Sequence, residues 1–169
     1  MFKLKSADPL MAAISLALLS SAGSAYAVDT GDAPDSYGPA IHEIPPVPPH
    51  LGLLAPDDDT AAPGSSADSD DNDGTDDEDG VFAFPTLVEN AKSYTTNVFV
   101  SNPTNEVANV AGWIDFNGNG VFDSNEAAVA TVPPGADNEK VKLVWNDLSG
   151  VTSDFTGLTY GRFLSLIHI

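Results

Sequence analysis

Twelve residues, Asp68–Asp79 (DSDDNDGTDDED), carry eight carboxylates. Like charges packed that closely along the chain repel, and neither a helix nor a strand forms there without something to screen them. Taken alone the run reads as a solvated acidic linker. It is the extreme of a bias that runs through the whole chain, which has 25 Asp and Glu against 6 Lys and Arg and a net charge of -19. Such a chain lacks the cations that track nucleic-acid phosphates or dock on an anionic membrane surface. Its charge suits a cation binder or a very soluble exported protein. Cysteine is absent, which excludes a disulfide framework, thiolate metal sites, a Cys nucleophile and a Cys-anchored lipid.

Residues 1–27 have the pattern of a secretory leader. Lys3 and Lys5 precede an apolar stretch of ten residues, Leu10–Leu19, too short for the ~20 residues that span a bilayer. Ala25-Tyr26-Ala27 supplies a small-x-small cleavage site, so the cut is expected after Ala27. The expected location is secreted, extracellular or on the cell surface, with no membrane insertion after cleavage. The leader removes Lys3, Lys5 and Asp8, so the exported part is more acidic still, and its self-repulsion calls for neutralising cations.

The exported part has two halves. Residues 28–80 show almost no periodic apolar pattern and are rich in Pro, Asp, Gly and Ser, with a polyproline-like Ile44–Pro49. This half is expected to consist of long acidic loops. Residues 81–163 instead carry short β-favouring segments between turn signals: Val81–Phe84, Tyr94–Val100, Val107–Phe116, Ala127–Val132, Lys140–Trp145 and Leu158–Phe163. Tyr94, Thr96, Val98 and Val100 alternate with Thr95, Asn97 and Phe99, whereas Lys140–Trp145 alternates at its start and then becomes wholly apolar. Asn102-Pro103, Asn117-Gly118, Asn119-Gly120 and Pro133-Pro134-Gly135 are the breakers. No segment holds a 3.6-residue period over three turns. The expected fold is all-β, an antiparallel β-sandwich.

Asp115–Glu126 (DFNGNGVFDSNE) matches the twelve-residue calcium-loop pattern D-x-[DN]-x-[DN]-G-x5-E. Asp115, Asn117 and Asn119 take the first three ligand positions, and Gly120 makes the sharp turn. Val121 would offer its carbonyl, Asp123 a carboxylate often bridged by water, and Glu126 a bidentate carboxylate. The flanks are strand-like, so this would be an EF-like loop between strands. The competing reading is a metal-free Asn-Gly hairpin, which the same glycines would serve. A second, less well-registered candidate lies in the acidic run, where Asp71, Asp73, Asp76, Asp77 and Asp79 form two partial calcium loops.

Catalytic constellations are missing: the sequence contains no H-E-x-x-H, G-x-S-x-G or phosphate-cradling loop. His42 and His50 flank the proline stretch with no nucleophile partner in the sequence. Trp113 and Trp145 sit in apolar, strand-like runs that suit core packing better than sugar stacking.

Four motifs occur in order: Gly31–Gly38 (GDAPDSYG), Asp76–Val81 (DDEDGV), Gly112–Asp123 (GWIDFNGNGVFD) and Thr159–Phe163 (TYGRF). Together they resemble the GEVED domain of bacterial secreted and surface proteins. The resemblance implies one β-rich, non-catalytic module over 28–163, with the acidic run belonging to it. The family pattern continues to a terminal Gly-Glu-Val-Glu-Asp, whereas Leu164–Ile169 does not resemble it, so residues 164–169 are expected to be a non-family tail on a truncated chain. The expected function is a calcium-stabilised structural or adhesive module whose partners are calcium and a surface protein or glycan. The alternatives are the N-terminal appendage of a secreted hydrolase and a carbohydrate-binding module using Trp113 or Trp145.

Overall fold

The computed structural model describes residues 27–31, 33–56, 64–65, 80–81, 83–148 and 159–166. Most of the leader, and the acidic run including Asp71, Asp73, Asp76, Asp77 and Asp79, lie outside the described residues.

Alternation in the sequence becomes two-faced strands. In β4 (Ser93–Asn102) Tyr94, Thr96, Val98 and Val100 are buried, while Thr95, Asn97 and Phe99 are only partly covered. Its partner β7 (Ala136–Asn146) buries Val141, Leu143 and Trp145 and exposes Lys140, Lys142 and Val144. The alternation therefore persists through the wholly apolar end of that segment, because the cross-strand pairing, and not hydrophobicity alone, assigns each face. The two strands run antiparallel from Ser93↔Asn146 to Asn102↔Ala136, with a register shift between Val100 and Asn102. A short β3 (His50–Leu51) pairs with the other edge of β4.

A second sheet has β5 (Ala108–Ile114) at its centre, between β6 (Ala127–Val132) and β8 (Gly161–Leu166). Central position on this sheet explains why β5 is buried almost throughout. A separate hairpin joins β1 (Ala27–Gly31) to β2 (Ala40–Ile44). Every pairing is antiparallel. Among the described residues there is no α-helix, only 3-10 turns at Asp35–Tyr37 and Ser124–Glu126, and none is long and apolar enough to cross a membrane. The fold is all-β and antiparallel.

Inward residues of both three-stranded sheets merge into one core that includes Val98, Val110, Ile114, Val132, Leu143 and Leu148. Tyr94, Phe116 and Trp145 form an aromatic triangle at its acidic-loop end, with ring centroids 5.6, 5.9 and 6.0 Å apart. Phe163 joins it across Gly112, where an added Cβ would stand 2.8 Å from the Phe163 ring.

Several sequence expectations are corrected. Residues 28–80 contain three strands. Two of them find each other locally as a hairpin, and β3 borrows the edge of β4; neither pairing leaves an apolar period to read. Among the described residues of Val81–Phe84 there is no strand. Gly80 instead gives its carbonyl to Phe99 N at 2.7 Å, and the carbonyls of Ala83 and Pro85 are taken by Thr96 Oγ1 (3.2 Å) and Tyr94 Oη (2.7 Å). One backbone bond at Gly80 and two side chains of β4 hold that segment, with no continuous ladder. The last strand starts at Gly161 and continues through Leu166, because Tyr160 gives its carbonyl to Asp115 N at 3.1 Å and Leu164 and Ser165 pair with Ala111 and Val110.

Candidate functional site

Strand β5 delivers Asp115 to the mouth of the twelve-residue loop, and the 3-10 turn Ser124–Glu126 returns the chain into β6. Asp115 and Glu126 are both fully buried, at 0% exposure. Asp115 Oδ1 accepts from Asn119 N at 3.1 Å. Its Oδ2 accepts from Gly120 N at 2.9 Å and from Tyr37 Oη at 2.8 Å. Gly120 turns the chain with φ +82°, a conformation that glycine adopts without steric cost.

Glu126 clamps the neck. Oε1 accepts from Phe116 N (2.9 Å) and Asn117 N (3.3 Å), and Oε2 accepts from Asp123 N (3.0 Å). Its backbone carbonyl accepts the Trp145 indole N–H at 2.7 Å, fastening the loop to the aromatic core. Burial pushes the Glu126 carboxyl above its ordinary value and the nearby Asp115 charge adds to this, while the backbone N–H donors oppose it.

The remaining predicted ligands lie higher in the loop. Asn117 Nδ2 and Asn119 Nδ2 both donate to Asp123 Oδ2, at 3.1 and 2.9 Å. Their carbonyl oxygens cap the backbone: Asn117 Oδ1 accepts from Asn119 N (2.8 Å) and Asn119 Oδ1 from Val121 N (3.0 Å). Val121 is exposed. The loop thus brings all six predicted positions into one network. In this conformation the Asn oxygens face backbone N–H groups, and among the described residues no three His, Asp or Glu side chains converge as metal ligands. The donors that meet the Asp115 and Glu126 carboxylates here are neutral N–H and O–H groups.

Residues from distant segments complete the site. The Tyr37 ring packs on Phe122 (centroids 4.6 Å apart) and Tyr160 (5.2 Å). Burial, then its bond to Asp115, raises the Tyr37 phenol well above its ordinary value, so it stays a donor. Arg162 donates to the carbonyls of Tyr37 (3.3 Å) and Gly38 (2.8 Å) and lies 5.2 Å from the Phe122 ring centroid. Thr159 Oγ1 donates to the Asp115 carbonyl. Three of the four sequence motifs therefore meet around Asp115.

No protein-family model, curated protein or solved structure matches this chain.

The remaining motif, Asp76–Val81, contains Gly80, whose position leaves no room for a Cβ: it would stand 2.7 Å from both Gly52 N and Phe99 O. Loop spacing identifies Asp115 and Glu126 from sequence. The partnership with Tyr37 spans 78 residues, and only its place in a motif marked that tyrosine. Trp113 and Trp145 are 4% and 1% exposed, so neither presents a face for stacking on a sugar.

Proposed function

We propose that the chain is a non-catalytic, exported β-sandwich module of GEVED type, in which calcium bound by the Asp115–Glu126 loop stabilises a structural or adhesive domain. One observation supports this most directly: two fully buried carboxylates share a loop neck and are met there by neutral N–H and O–H donors. Buried charges without a counter-charge are expensive. Either a proton or a cation relieves the pair, and the ligand spacing suits calcium.

Asp115 and Glu126 would supply charged oxygens, Asp123 a third carboxylate, and Val121 a carbonyl. Asn117 and Asn119 would contribute Oδ1 once their side chains turn away from the backbone. Calcium would neutralise the pair and fix the segment held by Tyr37. At dissociation constants of ~10⁻⁴–10⁻³ M, typical of extracellular modules, a tenfold excess of free ion adds about 1.4 kcal/mol by mass action. The sandwich reading draws support from the contact of β6 with β7 and of β3 with β8, and from the single core shared by the two sheets. The leader, cut after Ala27, would deliver the module to a calcium-rich exterior.

Thermal unfolding of the exported protein in chelator and in millimolar calcium, at fixed ionic strength, tests the proposal. A calcium-specific rise in Tm that magnesium does not reproduce, and that grows in Asn119→Asp, is expected. A cooperative melt indifferent to calcium would reduce the loop to a self-satisfied Asn-Gly turn.

A further inference from the structure

The loop contains two Asn-Gly pairs, Asn117-Gly118 and Asn119-Gly120, and they are chemically identical in sequence. They also share a local turn. Each asparagine Oδ1 accepts from the backbone N–H two residues on, at 2.8 Å for Asn117 and 3.0 Å for Asn119. A side chain bonded in that way arches over the peptide nitrogen between, and the donated hydrogen polarises its carbonyl. Each Nδ2 donates to the same oxygen of Asp123.

Asn117 is half-buried and Asn119 exposed, but the peptide nitrogens that would attack them are held differently. Gly120 N donates to the buried Asp115 Oδ2 at 2.9 Å. Gly118 N has no acceptor among the described residues, and Gly118 is exposed. Both glycines lack a side chain that would hinder ring closure.

We propose that Asn117 is a site of spontaneous deamidation in the folded protein and that Asn119 is protected from it. Gly118 N attacks Asn117 Cγ. The N–Cγ bond forms, the Cγ–Nδ2 bond breaks, and the departing amide leaves as ammonia, taking up the proton lost from Gly118 N. Water then opens the five-membered imide at either carbonyl, leaving an aspartyl or an isoaspartyl residue at 117. The sum is asparagine plus water giving acid plus ammonia, with no other reactant. At Asn119 the same ring closure must first withdraw Gly120 N–H from a carboxylate that has no exposure to water. Loss of a hydrogen bond to a charged, buried acceptor corresponds to a rate lower by about ten- to a hundredfold.

The product changes the loop. Asn117 Nδ2 donates to Asp123 Oδ2 at 3.1 Å, and an acid at 117 replaces that donor by a second negative charge facing Asp123. Conversion therefore loosens the cation-free loop and adds a carboxylate at the third position of the calcium pattern. This last consequence rests on the calcium reading; the choice of Asn117 over Asn119 does not.

Peptide mapping of the exported protein, aged in mildly alkaline chelator buffer and read by electron-transfer fragmentation, tests the selectivity. The folded protein is expected to convert Asn117 about ten- to a hundredfold faster than Asn119, and the ratio is expected to collapse towards one in denaturant. Equal conversion in the folded state, earlier conversion of Asn119, or a ratio unchanged by denaturant would overturn it. In a parallel arm, Asn117→Asp should melt lower than wild type in chelator and gain more from calcium. An unchanged melt in chelator would sink the loosening. If neither protein responds to calcium, the metal reading fails while the mapping result still decides the modification site.

Discussion

Two fully buried polar side-chain hubs close opposite ends of the β5–β6 ladder, and they solve burial differently. Asn102, near the Ala108↔Val132 end, is an uncharged amide with 0% exposure. Its Nδ2 donates to the carbonyls of Glu106 (2.8 Å), Pro133 (3.0 Å) and Val132 (3.3 Å), and its Oδ1 accepts from Thr104 Oγ1 (2.7 Å) and Thr104 N (3.3 Å). One side chain with both donors and acceptors thereby ties three chain segments with no net charge. Near the Trp113↔Ala127 end, Asp115 and Glu126 can only accept. They gather N–H and O–H donors efficiently but accumulate charge with every carboxylate added. A neutral hub is complete within the protein, whereas an acidic hub couples stability to protons and cations.

The largest way to break that contrast is to charge the neutral hub. Asn102→Asp turns a donor toward three carbonyls into an acceptor and should cost about 3–5 kcal/mol, read by chemical denaturation, with no recovery on adding calcium. At the acidic hub, Glu126→Ala releases three backbone N–H groups and should cost about 2–4 kcal/mol. Its remaining calcium response, measured as a Tm shift, should be much smaller than that of wild type. Tyr37→Phe deletes one hydrogen bond to a charged acceptor. A loss of about 1–2 kcal/mol is expected, with faster amide exchange at Tyr37 and Gly38 and unchanged exchange in β7.

A pH titration sharpens the comparison further. The Glu126 carboxyl lies above its ordinary 4.5 in the folded state, so between that value and its raised one the folded protein binds more protons than the unfolded chain. In chelator, stability should therefore fall as pH rises through this window, and it should be greatest towards its acid end. Glu126→Gln should flatten that slope, whereas Asn102→Ala should leave it intact; a slope unchanged in Glu126→Gln would assign it to general self-repulsion. The smallest effect belongs to Val121→Thr. Its side chain is exposed and only its backbone enters the loop, so denaturation midpoints should stay within ~0.5 kcal/mol of wild type.

Sequence reading recovered the elements whose side chains carry the period, β4, β5, β6 and β7, because a half-buried strand writes its pairing into alternate residues. It missed β1, β2 and β3, where prolines and acids conceal backbone pairing that depends on a distant or locally folded partner. Spacing alone located Asp115 and Glu126, since a tight loop must place its oxygens at fixed intervals. The clamp made by Glu126 on Phe116, Asn117 and Asp123 could not be read, because a metal ligand and an acceptor for backbone N–H groups require the same residue. Asn102 was legible only as a breaker before proline. Its role as a hub depends on the carbonyls of Val132 and Pro133, roughly thirty positions along the chain.

The bond from the Trp145 indole to the Glu126 carbonyl has a spectroscopic consequence. Trp113 Nε1 is buried with no hydrogen-bond partner among the described residues, whereas Trp145 Nε1 donates at 2.7 Å to the residue that closes the acidic loop. The two indole N–H proton resonances should therefore be well separated, with that of Trp145 the further downfield. Any event that shifts Glu126, whether protonation, cation binding or a change at Asn117, should move the Trp145 signal first. The protein thus carries, in its own core, a reporter of the loop that needs no label.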